Sequence, residues 1–144
     1  MQEFIEFSAN NPWLVSGLFA SMLALIFYEL RIKARDIGSL STAMAVRLIN
    51  DGAMVVDVRD ADKFSVGHIN NARNIQEAEL LKNPENITKK NRQALLICDN
   101  GARSSECAAR LRKNGLENVF SLQGGLAAWQ QENLPVVSDS TGSS

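Results

Sequence analysis

At 144 residues, with 45% hydrophobic and 22% charged residues, the chain has room for one globular domain and an appendage. Its net charge of −1 divides into three basic and four acidic residues over 1–37 and twelve of each over 38–144. The larger part therefore lacks the basic footprint of a nucleic-acid binder, and nucleic acid is excluded as a partner. Two cysteines, Cys98 and Cys107, and a single histidine offer neither metal-ligand spacing nor a disulfide framework, so no metal is expected and a reducing compartment fits.

Residues 1–11 form a short segment with Glu3 and Glu6 among Phe4, Ile5 and Phe7. From Pro12 to Tyr28 no residue is charged, and Trp13 and Tyr28 bracket the run as interfacial aromatics do. This apolar stretch is at the short end for crossing a bilayer, and a transmembrane helix over 12–30 is expected. A cleaved signal peptide fits less well, because no Lys or Arg precedes the run and no small-x-small cleavage site follows it. A buried core helix is the other alternative. Arg31, Lys33 and Arg35 make 31–37 a basic juxtamembrane linker, which places the following domain on the cytoplasmic side of the cell (inner) membrane. Gly17 with Ser21, and Ala20 with Ala24, are small-residue pairs that allow a helix-mediated dimer or a membrane-protein partner.

The soluble pattern begins near residue 38. Ser41 is placed to cap a helix through Ala43, Val46, Leu48 and Ile49, which Asp51-Gly52 ends. Ala53 to Val58 is a continuous apolar run broken only by Asp57, as a buried parallel strand requires. A short strand is expected over 72–75, with helical turns over 77–81 and 85–90. Ala94 to Cys98 reads as a second buried strand. Ser104 to Asn114 reads as a helix with Cys107, Ala108 and Leu111 on one face and Gly115 as its stop. Val119 to Leu122 is a third strand and Leu126 to Glu132 a last helix. The Ser/Gly/Thr-rich tail, 138–144, is expected to be disordered. Strands alternating with helices imply an α/β fold around a parallel sheet.

In such sheets ligands lie beyond the carboxyl ends of the strands. Cys98 ends its strand, and Asp99, Asn100, Gly101, Ala102 and Arg103 turn the chain into the next helix. A cysteine there faces free backbone N–H groups and the positive end of a helix, both of which favour the thiolate. The same cradle suits a persulfide sulfur or an oxyanion. Gly101 permits a conformation that would strain other residues, and Arg103 adds a cation at the rim.

These residues carry a resemblance. CDNGARSSECAARL resembles the active loop and following helix of rhodanese-like domains. VVDVRDADKFSVGHINNARNI resembles that family's Asp-Val-Arg…Gly-His-Ile…Ala-x-Asn-Ile block, through Asp57, Val58, Arg59, Gly67, His68, Ile69, Ala72, Asn74 and Ile75. LQGGLAAW resembles its Gly-Gly-x-x-x-Trp signature, through Gly124, Gly125 and Trp129, with Leu134-Pro135-Val136 as the closing element. The resemblance covers about residues 38–137. It implies a rhodanese-like five-stranded parallel sheet flanked by helices, here preceded by one N-terminal transmembrane helix. It also implies a sulfurtransferase that carries sulfane sulfur as a persulfide on Cys98. The sulfur would pass from a thiosulfate-like or protein donor to a thiol or protein acceptor, with no cofactor beyond the covalent persulfide. Related phosphatases and arsenate reductases have one more residue between Cys and Arg than the four found here, which favours sulfur transfer.

Asp57 and Arg59 are expected to brace the loops around the site as an ion pair. His68 and Trp129 are expected to be structural, and Cys107 a core thiol, with a resolving role as the alternative. The chain departs from the family pattern at two positions. The residue after the catalytic cysteine, often basic, is Asp99, and the position of Lys63 is often Glu. A carboxylate beside the nucleophile repels a thiolate and a dianionic donor, so weak turnover of thiosulfate is expected. The change at Lys63 is expected to affect only a surface interaction. A membrane-tethered interaction or scaffold module with little turnover is the alternative function.

Overall fold

The computed structural model describes residues 1–88 and 92–139. The chain divides into two compact units, Met1–Ala34 and Arg35–Ser144. In the first, α1 (Gln2–Asn10) closes where the Asn11 N–H bonds to the Phe7 carbonyl, and α2 (Pro12–Asp36) begins at proline, which costs a helix start no hydrogen bond. The sequence pattern had marked no helix before Pro12. Within α2 the stretch Pro12–Lys33 is long and apolar enough to cross a membrane and is unburied throughout. Residues 31–36 continue this helix, where a linker had been expected.

The second unit is built on β1 (Ser39–Leu40), β2 (Met54–Asp57), β3 (Arg73–Asn74), β4 (Ala94–Ile97) and β5 (Val119–Leu122). They form one five-stranded sheet in the order β1-β5-β4-β2-β3, with every pairing parallel. The fold class expected from the sequence is therefore the one observed. Both faces are covered, which is why β2 and β4 are apolar at successive positions. On one face α5 (Glu77–Lys82), α6 (Glu85–Thr88) and α7 (Ala102–Lys113) bring Leu80, Ile87, Cys107, Ala108 and Leu111 against Val56, Leu96 and Val119. On the other, α3 (Thr42–Asn50) and α8 (Gly125–Gln131) bring Ala45, Leu126 and Trp129 against Val55, Leu95, Ile97 and Leu122.

Local chemistry sets the boundaries. Ser41 accepts the Met44 N–H at the start of α3, and Gly52, at φ +93, turns the chain into β2. The short helix α4 (Ala61–Val66) follows β2. Beyond it His68 stacks on Phe64 with ring centroids 3.8 Å apart, and its backbone pairs with Val137. That bridge fastens the closing segment to the domain, as does the Trp129 indole N–H, which donates to the Pro135 carbonyl at 3.0 Å. The tail expected to be disordered lies largely outside the described residues, from 140 onward.

Candidate active site

The register of β2 and β4 positions the site. Asp57 lies opposite Ile97, so the chain leaves both strands side by side and Val58 N–H bonds to the Ile97 carbonyl at 2.9 Å. Cys98 follows at once. Its carbonyl accepts the Leu126 N–H at 2.8 Å, and the Asp99 carbonyl accepts the Ala127 N–H at 3.1 Å. Both acceptors are thereby tied to the first turn of α8, whose N–H groups have no partner within their own helix.

With its carbonyls engaged there, the loop presents its N–H groups to the sulfur. Gly101 N–H lies 3.0 Å and Ser104 N–H 3.5 Å from Cys98 Sγ. Asn100 folds its side chain over the loop, accepting the Ala102 N–H at 3.1 Å, and its Oδ1 stands 4.0 Å from Sγ, within reach of an S–H proton. Gly101 holds φ +90 as the residue before α7, and Ser105 N–H bonds back to its carbonyl. The helix thus starts at Ala102, two residues earlier than the sequence pattern indicated. The reason is local: a left-handed glycine precedes the helix, and the Asn100 side chain accepts the Ala102 N–H.

Gly125, the first residue of α8, is a packing requirement. A Cβ on Gly125 would stand 2.5 Å from the Cys98 carbonyl oxygen, 2.6 Å from Gly101 N and 2.8 Å from Asn100 N. Only a residue without a side chain lets α8 approach the loop this closely.

Cys98 is 1% exposed, while Asn100, Ala102 and Arg103 are exposed. Arg103 stands in the first turn of α7, and its side chain has no hydrogen bond or ion pair among the described residues. Asp57 and Arg59 are both buried and meet as a forked pair: Arg59 Nε and Nη2 donate to the carboxylate at 2.7–3.0 Å, and Nη2 also donates to the Gly67 carbonyl at 2.6 Å. Burial works against the Arg59 charge, but hydrogen bonds and attraction from Asp57, then Asp99, outweigh it and hold its pKa above the ordinary value.

Asp99 extends this pair into a chain. One carboxylate oxygen is 3.6 Å from Arg59 Nη1 and the other 2.7 Å from Lys63 Nζ. The Lys63 hydrogen bond, against partial burial and with help from Arg59, lowers the Asp99 pKa below the usual carboxylate value. The two departures from the family pattern are thus bonded to each other: the surface interaction expected of Lys63 is an ion pair with Asp99, beside Cys98. Both positions depart in charge and in opposite senses, but 36 residues separate them and the sequence alone did not pair them. Ser104 was the other residue missed, because it contributes through its backbone N–H. Cys107 is fully buried on α7, and burial, then repulsion from Glu77, pushes its thiol up to about 12.

The family of rhodanese-like domains matches residues 41–132. The chain is similar to the uncharacterized protein YibN of Escherichia coli, at 32% identity over 140 residues that cover 95% of this chain and 98% of that protein. It is similar to the thiosulfate sulfurtransferase GlpE of Ectopseudomonas mendocina, at 37% identity over 93 residues covering 63% of this chain and 83% of that protein. Among solved structures, a rhodanese-related protein from Thermoplasma volcanium superposes with a TM-score of 0.61 at 31% identity, over 69% of this chain and 96% of that one.

Proposed function

Because the chain belongs to the rhodanese-like domain family, we propose that it is a sulfurtransferase with Cys98 as its nucleophile. In the loading step the Cys98 thiolate attacks the outer sulfur of a donor such as thiosulfate. A new S–S bond forms, the donor's S–S bond breaks, and sulfite leaves with the electron pair. In the second step an acceptor thiolate attacks the outer sulfur of the persulfide, and Cys98 departs as thiolate. The observation that carries this reading is the pair of N–H groups on Sγ, from Gly101 and Ser104. They hold negative charge on the sulfur before loading and after unloading, without reorganisation. Arg103, exposed on the first turn of α7, offers its guanidinium to the anionic part of a donor. Asp57 and Arg59 brace the neighbouring loop.

The apolar helix supports a second element of the proposal, a single-pass anchor over 12–30 in the cell membrane. Arg31, Lys33 and Arg35 put the catalytic unit on the cytoplasmic side. Donors and acceptors are then cytoplasmic thiols, small anions or proteins, and the helix surface is free for a membrane-protein partner or a second copy.

The test is sulfur loading. Full-length protein in detergent is incubated in turn with thiosulfate, a mercaptopyruvate-type donor, and a cysteine desulfurase with cysteine. The Cys98 peptide is expected to gain the mass of one sulfur with at least one donor, and Cys98→Ser to gain none. No gain with any of the three would overturn the enzyme and favour a tethered interaction module.

A further inference from the structure

Asp99 follows the nucleophile directly, and a lone carboxylate there would repel every anionic donor that approaches Cys98. It is not alone. Asp57, Arg59, Asp99 and Lys63 form a line of alternating charge whose sum is zero. Arg59 is committed to Asp57 and the Gly67 carbonyl, both at shorter range than Asp99. The counter-charge of Asp99 is therefore Lys63, which reaches it from α4, 36 residues earlier in the chain. Both side chains are about half exposed, at 54% for Lys63 and 45% for Asp99, so either is open to substitution without disturbing the core. With this pair neutral, Arg103 is the rim charge left without a partner among the described residues.

We propose that Lys63 is a specificity-determining residue of the site, cancelling the carboxylate of Asp99 and so keeping Cys98 open to anionic sulfur donors. This rests on Cys98 being the sulfur-carrying nucleophile. The pair acts on the charge of what approaches the sulfur, and its effect belongs in KM for an anionic donor. A neutral reagent is indifferent to it.

The experiment compares alkylation of Cys98 by iodoacetate, an anion, and iodoacetamide, its neutral analogue, in the full-length protein at low ionic strength, read on the Cys98 peptide. The quotient of the two rates cancels any change in thiolate fraction, because both reagents need the thiolate. Lys63→Gln is expected to lower the iodoacetate-to-iodoacetamide quotient roughly two- to fivefold, and Asp99→Asn to raise it by a similar factor. Combining the two should return it to within about twofold of the wild type, and the differences should shrink in about 0.5 M salt. KM for thiosulfate should move the opposite way, rising in Lys63→Gln, falling in Asp99→Asn and returning toward the wild type in the double variant. If Lys63→Gln matched the wild type and the double variant matched Asp99→Asn, Lys63 would have no part in the site. Alkylation needs no sulfur donor. Unchanged quotients with normal persulfide loading overturn the role of Lys63 alone, whereas shifted quotients without any loading overturn sulfur transfer alone.

Discussion

Cys98 and Cys107 belong to the same buried cluster and differ in what faces the sulfur. Cys98 meets two N–H groups, whereas Cys107 meets apolar side chains in the field of Glu77. With its thiol held up near 12, Cys107 stays protonated where an ordinary thiol at 9.0 has begun to ionise. Native protein at about pH 9 is therefore expected to resist alkylation at Cys107, with labelling appearing only on denaturation. The same shift has a stability consequence with a definite sign. An acid whose pKa is raised by folding favours the folded state fully below its unfolded value, and the advantage is lost as pH climbs from there to the folded value. For Cys107 that window runs from 9.0 to about 12. Denaturation midpoints of Cys107→Ser should accordingly fall less steeply in alkali than those of the wild type, while sulfur loading persists. A fall of equal steepness, or loss of loading with the fold intact, would contradict this assignment.

At the level of elements, the active loop is held from outside by the start of α8. Two glycines with positive φ separate that constraint from backbone conformation. Gly52, at φ +93, has nothing within 4 Å of a would-be Cβ, whereas Gly125, at φ +60, would meet three backbone atoms of the loop. Gly52→Ala is expected to cost about 1 kcal/mol and leave loading unchanged. Gly125→Ala should cost about 2–4 kcal/mol and lose most loading, because the clash falls on Cys98, Asn100 and Gly101 themselves. Chemical denaturation beside persulfide mass measurement distinguishes the two; equal losses of loading would mean that α8 does not shape the loop. The sequence made β2, β4 and β5 legible, since strands buried on both faces are predominantly apolar. It marked a short strand around β3. It concealed β1, because two residues carry no periodicity, and α1, whose apolar side chains are mixed with Glu3 and Glu6. The loop, its cysteine and both glycine motifs were legible as patterns, but the contact between Gly125 and the Cys98 carbonyl and the pairing of Lys63 with Asp99 were not. Both join residues distant in the chain, and nothing local encodes them.

For the whole molecule, the two units call for different surroundings. Trp13, Leu18, Phe19, Leu23 and Phe27 on α2 are all more than 60% exposed, an apolar surface that water does not tolerate on a stable monomer. Full-length protein is expected in the membrane fraction, resisting extraction by salt or carbonate, and deletion of residues 1–35 is expected to yield a soluble, folded domain. The deletion spares Ile37 and Gly38, whose carbonyls accept from the Arg112 side chain and the Ser121 N–H. Recovery of the full chain in the soluble fraction without detergent would remove the anchor, and cleavage of the domain by protease added outside intact cells would reverse its orientation.

The pairing of β1 with β5 sets a clock on this protein's birth. Ser39 and Ser121 share a hydrogen bond across the sheet edge yet are 82 residues apart in the chain. A ribosome adding about 5–20 residues per second delivers the second roughly 4–16 s after the first. Throughout that interval α2 is already made, while the sheet that will carry Cys98 still lacks an edge. The nascent chain therefore has its apolar helix available for insertion before the domain behind it can close. The cradle around Cys98 is completed only when α8, among the last segments made, docks against the loop.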